Sequence, residues 1–91
     1  MIVRILGEGQ LELDEEATIR LDKLDDDLEH AIAANDPAWF DRALRTVLTE
    51  VRASGRPVDP TTIIPSDLAL PGEGSSLQEV RELLESDHPE S

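Results

Sequence analysis

Apolar side chains in the first thirteen residues recur at every second position, on either side of Gly7-Glu8-Gly9. Because successive side chains of a strand point to opposite faces, this period predicts two β-strands joined by a tight turn. With Gly7–Gly9 as the loop, Ile5 lies opposite Leu11 and Arg4 lies opposite Glu12, and Gly9 supplies the positive φ that ends the loop. One face then holds Val3, Ile5, Leu11 and Leu13, and the outer face holds Ile2, Arg4, Leu6 and Glu12.

A glycine pair after an apolar run can also form a phosphate-binding loop, which follows a strand and opens directly into a helix. Here Gly9 is followed by Gln-Leu-Glu-Leu, which alternates as a strand does, and no Lys-Ser or Lys-Thr pair follows. The hairpin is therefore the favoured interpretation, and this turn is not expected to bind a nucleotide.

After Asp14 the hydrophobic period lengthens to that of an α-helix, predicted over residues 15–34 with Asp14 as its cap. Its apolar stripe consists of Ala17, Leu21, Leu24, Leu28 and Ala31. A charge at Leu24, inside this stripe, is expected to destabilise or unfold so small a domain. The opposite face carries the acidic residues Asp22, Asp25, Asp26 and Glu29.

Asp36-Pro37 combines a capping side chain with proline at the first helical position, which predicts a second helix that ends at Gly55. The connection between the two helices is short, so they are expected to lie antiparallel. Trp39 falls just beside the second apolar stripe and is expected to be half exposed. The arginines of this segment, expected to face the acids of the first helix or of a partner, are Arg42, Arg45, Arg52 and Arg56.

The stretch from residue 57 to residue 71 contains four prolines, which exclude a regular helix. Its apolar residues are too many for a free linker, and Leu68–Leu70 alternates enough for a short edge strand. Ser76 and Glu79 form a capping-box pattern that predicts a third, short helix ending near Ser86. The sequence thus predicts one α+β domain over residues 1–86, made of a hairpin, a helix pair, an extended segment and a short helix. Residues 87–91 are expected to form a flexible tail.

The net charge of −13 argues against direct binding to nucleic acid or to anionic lipid. There is no cysteine, which fits a reducing compartment, and no apolar run approaches the ~20 residues of a membrane helix. We therefore expect a cytoplasmic protein that does not insert into the membrane.

Residues with catalytic or metal-binding potential are few. The two histidines, His30 and His88, are far apart, and His30 fits a helix surface. The acidic run Asp25–Asp27 lacks the glycine and the terminal glutamate of a calcium loop and falls within a helical period. We expect no catalytic residues, no cofactor and no metal, so the chain is not expected to be an enzyme.

Four segments resemble, in order, the phage-shock-protein-A-associated (PspAA-like) family of actinobacteria: "MIVRILGEGQLELD", "LDKLDDDLEHAIAANDPAWFDRALRTVLTEVRASG", "IIPSDLALP" and "SSLQEVRELL". The likeness extends to about residue 86, and "IIPSDLALP" is its most specific part. The resemblance implies a non-enzymatic protein that acts with homologues of phage shock protein A, which are long coiled-coil proteins that bind stressed inner membranes. It implies no catalytic residues.

We therefore expect an adaptor or regulator of the bacterial envelope-stress response that binds such a coiled coil and is recruited through it to the inner membrane. The candidate partner-binding residues are Ile2, Leu6, Asp22, Asp25, Asp26, Glu29, Trp39, Ile63 and Ile64. Self-association into a homo-oligomer is also expected, through the outer hairpin face and its free strand edges. The alternative is an acidic nucleic-acid mimic or antitoxin-like inhibitor of a basic protein; a small enzyme or metal-binding module ranks third.

Overall fold

A computed structural model describes residues 1–62 and 64–86 of the chain. The elements follow in the order β1 (Ile2–Ile5), β2 (Gly9–Glu12), α1 (Glu15–Ala33), α2 (Pro37–Ser54), β3 (Arg56–Pro57), β4 (Leu68–Leu70) and α3 (Leu77–Ser86). The strands form a four-stranded sheet in the order β3-β2-β1-β4. The α+β class and the order of its predicted parts are confirmed. The predicted tail, residues 87–91, lies outside the described residues.

The hairpin is present, but its predicted register is wrong by two residues. Val3 pairs with Leu11 and Arg4 pairs with Gln10, so Arg4 does not face Glu12. The turn runs from Ile5 to Glu8, whose amide donates to the Ile5 carbonyl at 2.9 Å, and Gly7 holds φ of 88° at the third turn position. A shift of two residues leaves every side chain on its predicted face, which is why the alternation could not reveal the error.

Both edges of the hairpin are covered by later strands. β4 pairs in parallel with β1, and the two-residue β3, which the sequence did not indicate, pairs with β2. The Gln10 side-chain amide also holds the proline-rich segment against the outer face, donating to the Ile64 carbonyl at 2.7 Å and to the Ser66 hydroxyl at 2.8 Å. The argument for self-association from free hairpin edges therefore no longer applies, and self-association stays a prediction.

The ends of α1 follow the local sequence closely. The Asp14 carboxylate accepts from the Ala17 amide at 2.8 Å and caps the first turn. At the other end Asn35 takes a positive φ of 55°, its amide bonds to Ile32, and the Asp36 amide bonds to Ala31. This pair of bonds is a Schellman motif, which satisfies the last carbonyls of the helix and turns the chain.

The turn at Asn35 leads directly into α2. The Asp36 carboxylate accepts from the Trp39 amide at 3.1 Å, and Pro37 occupies the first helical position, as predicted. At the far end, a Cβ on Gly55 would lie 2.7 Å from the Val51 carbonyl oxygen and 2.9 Å from the Leu11 Cβ. Glycine is required there because α2 ends in close contact with β2.

One hydrophobic core joins the inner face of the sheet to the three helices. Its buried side chains are Val3, Ile5, Leu13, Ala17, Leu21, Leu28, Ala31, Phe40, Ala43, Leu44, Val47, Leu48, Val51, Leu70, Leu77 and Val80. Leu24 departs from the prediction, because it is only half-buried at the margin of this core. It lines a shallow groove beside α2 with Thr46 and Thr49.

Leu21 and Leu24 provide a matched pair of stability tests on one helix. Leu21 is 0% exposed, so Leu21→Ala is expected to lower the free energy of unfolding by about 2–4 kcal/mol. Leu24→Ala is expected to cost about half as much or less, because its side chain is still partly in water. Urea unfolding of both variants measures the difference, and equal losses would contradict the position of Leu24 at the core margin.

Candidate partner-binding surface

The acidic face of α1, defined by Asp22, Asp25, Asp26 and Glu29, is assembled as predicted. Three of these side chains are exposed and Asp25 is half-buried. Residues three and four apart on a helix are neighbours, so the four carboxylates form one continuous patch. In the part of the chain that the structure describes, none of the four makes a salt bridge. Their mutual repulsion is therefore not offset by an ion pair among these residues.

Asp25 experiences this repulsion most directly. Burial raises the pKa of its carboxyl above the ordinary value, and the negative charges of Glu29, Asp26 and Asp22 raise that pKa further. A cation placed beside the patch would reverse the second effect. The electrostatics of the acidic face therefore favour a basic partner.

Neither Arg45 nor Arg52 of α2 pairs with an acid of α1 among the described residues, so for these two the first half of the prediction is wrong. Contact of the arginines with a partner stays a prediction. Among the described residues, Arg45 pairs with Asp41 on its own helix. Arg52 donates to Glu8 in the hairpin turn and, at 2.8 Å, to Glu73. The ion pair between the helices runs the other way, from Arg20 of α1 to Glu50 of α2 at 2.9 Å. The contacts of Arg52 and Arg20 join separate parts of the fold, and none of the pairs named here includes a carboxylate of the acidic face.

The apolar candidates from the sequence are scattered. Leu6 is 46% exposed at the hairpin turn, whereas Ile2 and Ile64 are half-buried. The Ile2 backbone bonds to Asp67 twice: its amide donates to the Asp67 carboxylate at 2.8 Å, and its carbonyl accepts from the Asp67 amide at 2.7 Å. Ile63 lies outside the described residues. The outer hairpin face is thus partly covered and offers Leu6 as its most accessible apolar side chain among those described.

Trp39 is half-buried, as expected, but its surroundings assign it a structural role. Its indole N–H donates to the Asp27 carboxylate of α1 at 3.2 Å, and its ring packs against the core. The side chain therefore ties α2 to α1. Removing it would loosen the helix pair, so Trp39 is a poor probe of partner binding.

Ile19 was overlooked in the sequence. It is 53% exposed on α1, more than Leu6, and it lies one turn before Asp22 and Lys23. A β-branched residue is a mediocre helix former, and on a solvent-facing position it gains little from packing. That combination is the signal that could have identified it: an isoleucine off the apolar stripe, among charged neighbours.

The described residues also form a cleft on the outer face of the sheet, but it does not point to one kind of ligand. A cleft of about 680 Å³ lies between the outer sheet face and the proline-rich segment, and its walls include Arg4, Gln10, Arg52 and Pro60. Within residues 1–62 and 64–86, no group of three histidine or acidic side chains is arranged to hold a metal ion. The described helices include none that is both long enough and apolar enough to cross a membrane.

The family model for PspA-Associated protein matches residues 1–89, nearly the whole chain. The chain belongs to the PspA-associated protein family. Neither the curated proteins nor the solved structures include a significant match. The assignment to the PspA-associated family rests on the family model, which matches nearly the whole length of this small domain.

Asp25 generates a pH-dependent prediction for this PspA-associated protein. Its folded-state pKa is raised, so ionised Asp25 destabilises the fold at neutral pH, and this penalty disappears as the pH falls below the unfolded-state pKa. Asp25→Asn is therefore expected to raise the free energy of unfolding near pH 7, by no more than about 1 kcal/mol because water and salt screen the patch.

Urea unfolding near neutral pH and at about pH 3, below the ordinary pKa of an aspartate, measures this gain. Glu82→Gln, an exposed change on α3 that removes the same charge, is the matched control. A gain of similar size in the control, or one that persists in acid, would show that the position of Asp25 is not its cause.

Proposed function

We propose that this protein is a non-catalytic adaptor that binds a PspA-type coiled-coil protein in the bacterial envelope-stress response. Membership of the PspA-associated family, matched over residues 1–89, is the observation that supports the partner. In this proposal the adaptor resides in the cytoplasm and reaches the inner membrane through its partner. The domain supplies a binding surface rather than a reaction.

The acidic face of α1 is the proposed contact. The resemblance implies a long coiled coil with basic, membrane-facing segments, and the charge of the acidic face is complementary to such segments. α1 carries seven carboxylates against two cations, Arg20 and Lys23, which gives the helix a net charge of −5. Opposite potentials speed encounter and set orientation more than they set final affinity.

The placement of the acidic face supports this use. It lies on a regular helix that is capped at both ends and packed on the core through Leu21 and Leu28, so its carboxylates are held in a fixed pattern. Substituting the exposed members changes the surface charge without removing core packing. The contribution of charge to binding can therefore be measured separately from folding.

The double variant Asp22→Lys/Asp26→Lys tests the proposed contact. It changes the net charge by +4, because each substitution removes one negative charge and adds one positive charge. Association with the immobilised coiled-coil protein is expected to slow about tenfold at low salt, with little change in the dissociation rate. The difference should fade in about 1 M salt, where the screening length falls to about 3 Å. Biolayer interferometry measures both rates.

The charge-matched control is Glu12→Lys/Glu82→Lys, which also adds +4 at exposed positions, one on β2 and one on α3. Equal slowing in both double variants would show that total charge acts, not the acidic face. If the unmodified protein does not bind the coiled coil at micromolar concentration in low salt, direct adaptor function is wrong. Capture of a basic nuclease or DNA-binding protein instead would favour the inhibitor alternative.

A further inference from the structure

Ile19 gives the solvent side of α1 an apolar centre. The helix neighbours three and four residues away on either side are Glu15, Glu16, Asp22 and Lys23, all of them exposed. A large apolar side chain encircled by charged ones can serve as the central anchor of an interface, desolvated on binding while its rim excludes water.

From Ile19 a line of exposed positions runs along the helix at spacings of three, four, three and four residues. The line consists of Ile19, Asp22, Asp26, Glu29 and Ala33. Residues at this spacing lie along one side of a helix, where a second helix packed alongside would contact them. At a rise of 1.5 Å per residue, the line is about 21 Å long, or about four helical turns.

We infer that this line, the Ile19 seam, is the docking surface for an amphipathic helix of the coiled-coil partner. An apolar side chain of that helix packs on Ile19, and its Lys or Arg side chains lie over the three carboxylates that follow. The inference deepens the proposed function and rests on it: the acidic face provides the charge, and Ile19 provides the lasting contact.

The spacing of the carboxylates favours a helix over an extended peptide. Asp22, Asp26 and Glu29 rise by about 6 Å and then about 4.5 Å along α1, and cations spaced four and three residues apart on a second helix match those rises. Residues two apart on a strand are separated by about 6.8 Å, so an extended chain loses register after the first pair. A basic helix therefore matches both the charge and the repeat of the seam.

Leu6, the other exposed large aliphatic residue among those described, lacks such surroundings. Its amide donates to the Leu70 carbonyl at 3.0 Å, and the chain at Gly72 approaches its carbonyl so closely that a Cβ there would lie 2.8 Å away. Leu6 thus protrudes from a junction of two turns rather than from a continuous seam. Leu6 is therefore the competing anchor candidate, similar to Ile19 in size and in exposure.

The test compares Ile19→Ala with Leu6→Ala in the full chain, against the immobilised PspA-type coiled-coil protein. Ile19→Ala is expected to raise the dissociation rate about tenfold and to leave association nearly unchanged, because it removes an anchor and no charge. Leu6→Ala tests the competing hairpin candidate and is expected to change dissociation much less than Ile19→Ala; an equal or larger rise would place the anchor on the hairpin and overturn the inference. Ile19→Ala should fold normally, since the residue is exposed and alanine is the better helix former; thermal unfolding checks this.

A photo-crosslinking amino acid at position 19 tests the identity of the occupant. Mass mapping is expected to place the crosslink in a helical partner segment with Lys or Arg three to four residues from an apolar residue. A crosslink to an acidic or non-helical segment would overturn the inference, as would dissociation unchanged by Ile19→Ala while the unmodified protein binds. Absence of any binding by the unmodified protein would instead refute the adaptor function, and the inference with it.

Discussion

Burial of the inner face of the hairpin is the interaction on which the other elements depend. Val3 and Ile5 are both 0% exposed, and a two-stranded ribbon cannot bury them by itself. The antiparallel helices α1 and α2 lie over that face and contribute most of the remaining core residues. Because the helices cover the sheet with one face each, their other faces are exposed to water and can carry charged residues. The acidic face of α1 lies on such an exposed face.

The sequence predicted those elements whose signals are local. The caps at Asp14 and Asp36 and the capping box at Ser76 each act within four residues, and each forms the bonds expected of it. Strand order depends on partners far along the chain, so it was less accessible. Alternation fixes the face of a side chain but not its partner, which is why the two-residue error at the hairpin went unseen. The pairing of Arg56–Pro57 has no periodic signal at all, because two residues cannot show a period.

The acidic face was predictable for the same reason as the helix that carries it: four acids at helical spacing fall together wherever the helix lies. The positions of the apolar candidates were not, since exposure depends on tertiary neighbours. The Trp39 indole donates to Asp27, and the Ile2 amide donates to Asp67, contacts that join distant parts of the chain. Ile19 stays 53% exposed because it lies on the outward side of α1. Tertiary contacts, more than composition, therefore decide which apolar residues serve the fold and which are exposed for binding.

The parallel pairing of β1 with β4 has a consequence for synthesis of the chain. The Ile2 amide of β1 bonds to a side chain 65 residues later in the chain. During synthesis β1 can therefore pair with β4 only after most of the domain has left the ribosome. Contacts of such separation form slowly, because closing a long loop costs entropy before the contact repays it. Until then one edge of β1 is open to other nascent or misfolded chains. The open edge of β1 is therefore closed only after the proline-rich segment has been synthesised and β4 has paired with β1.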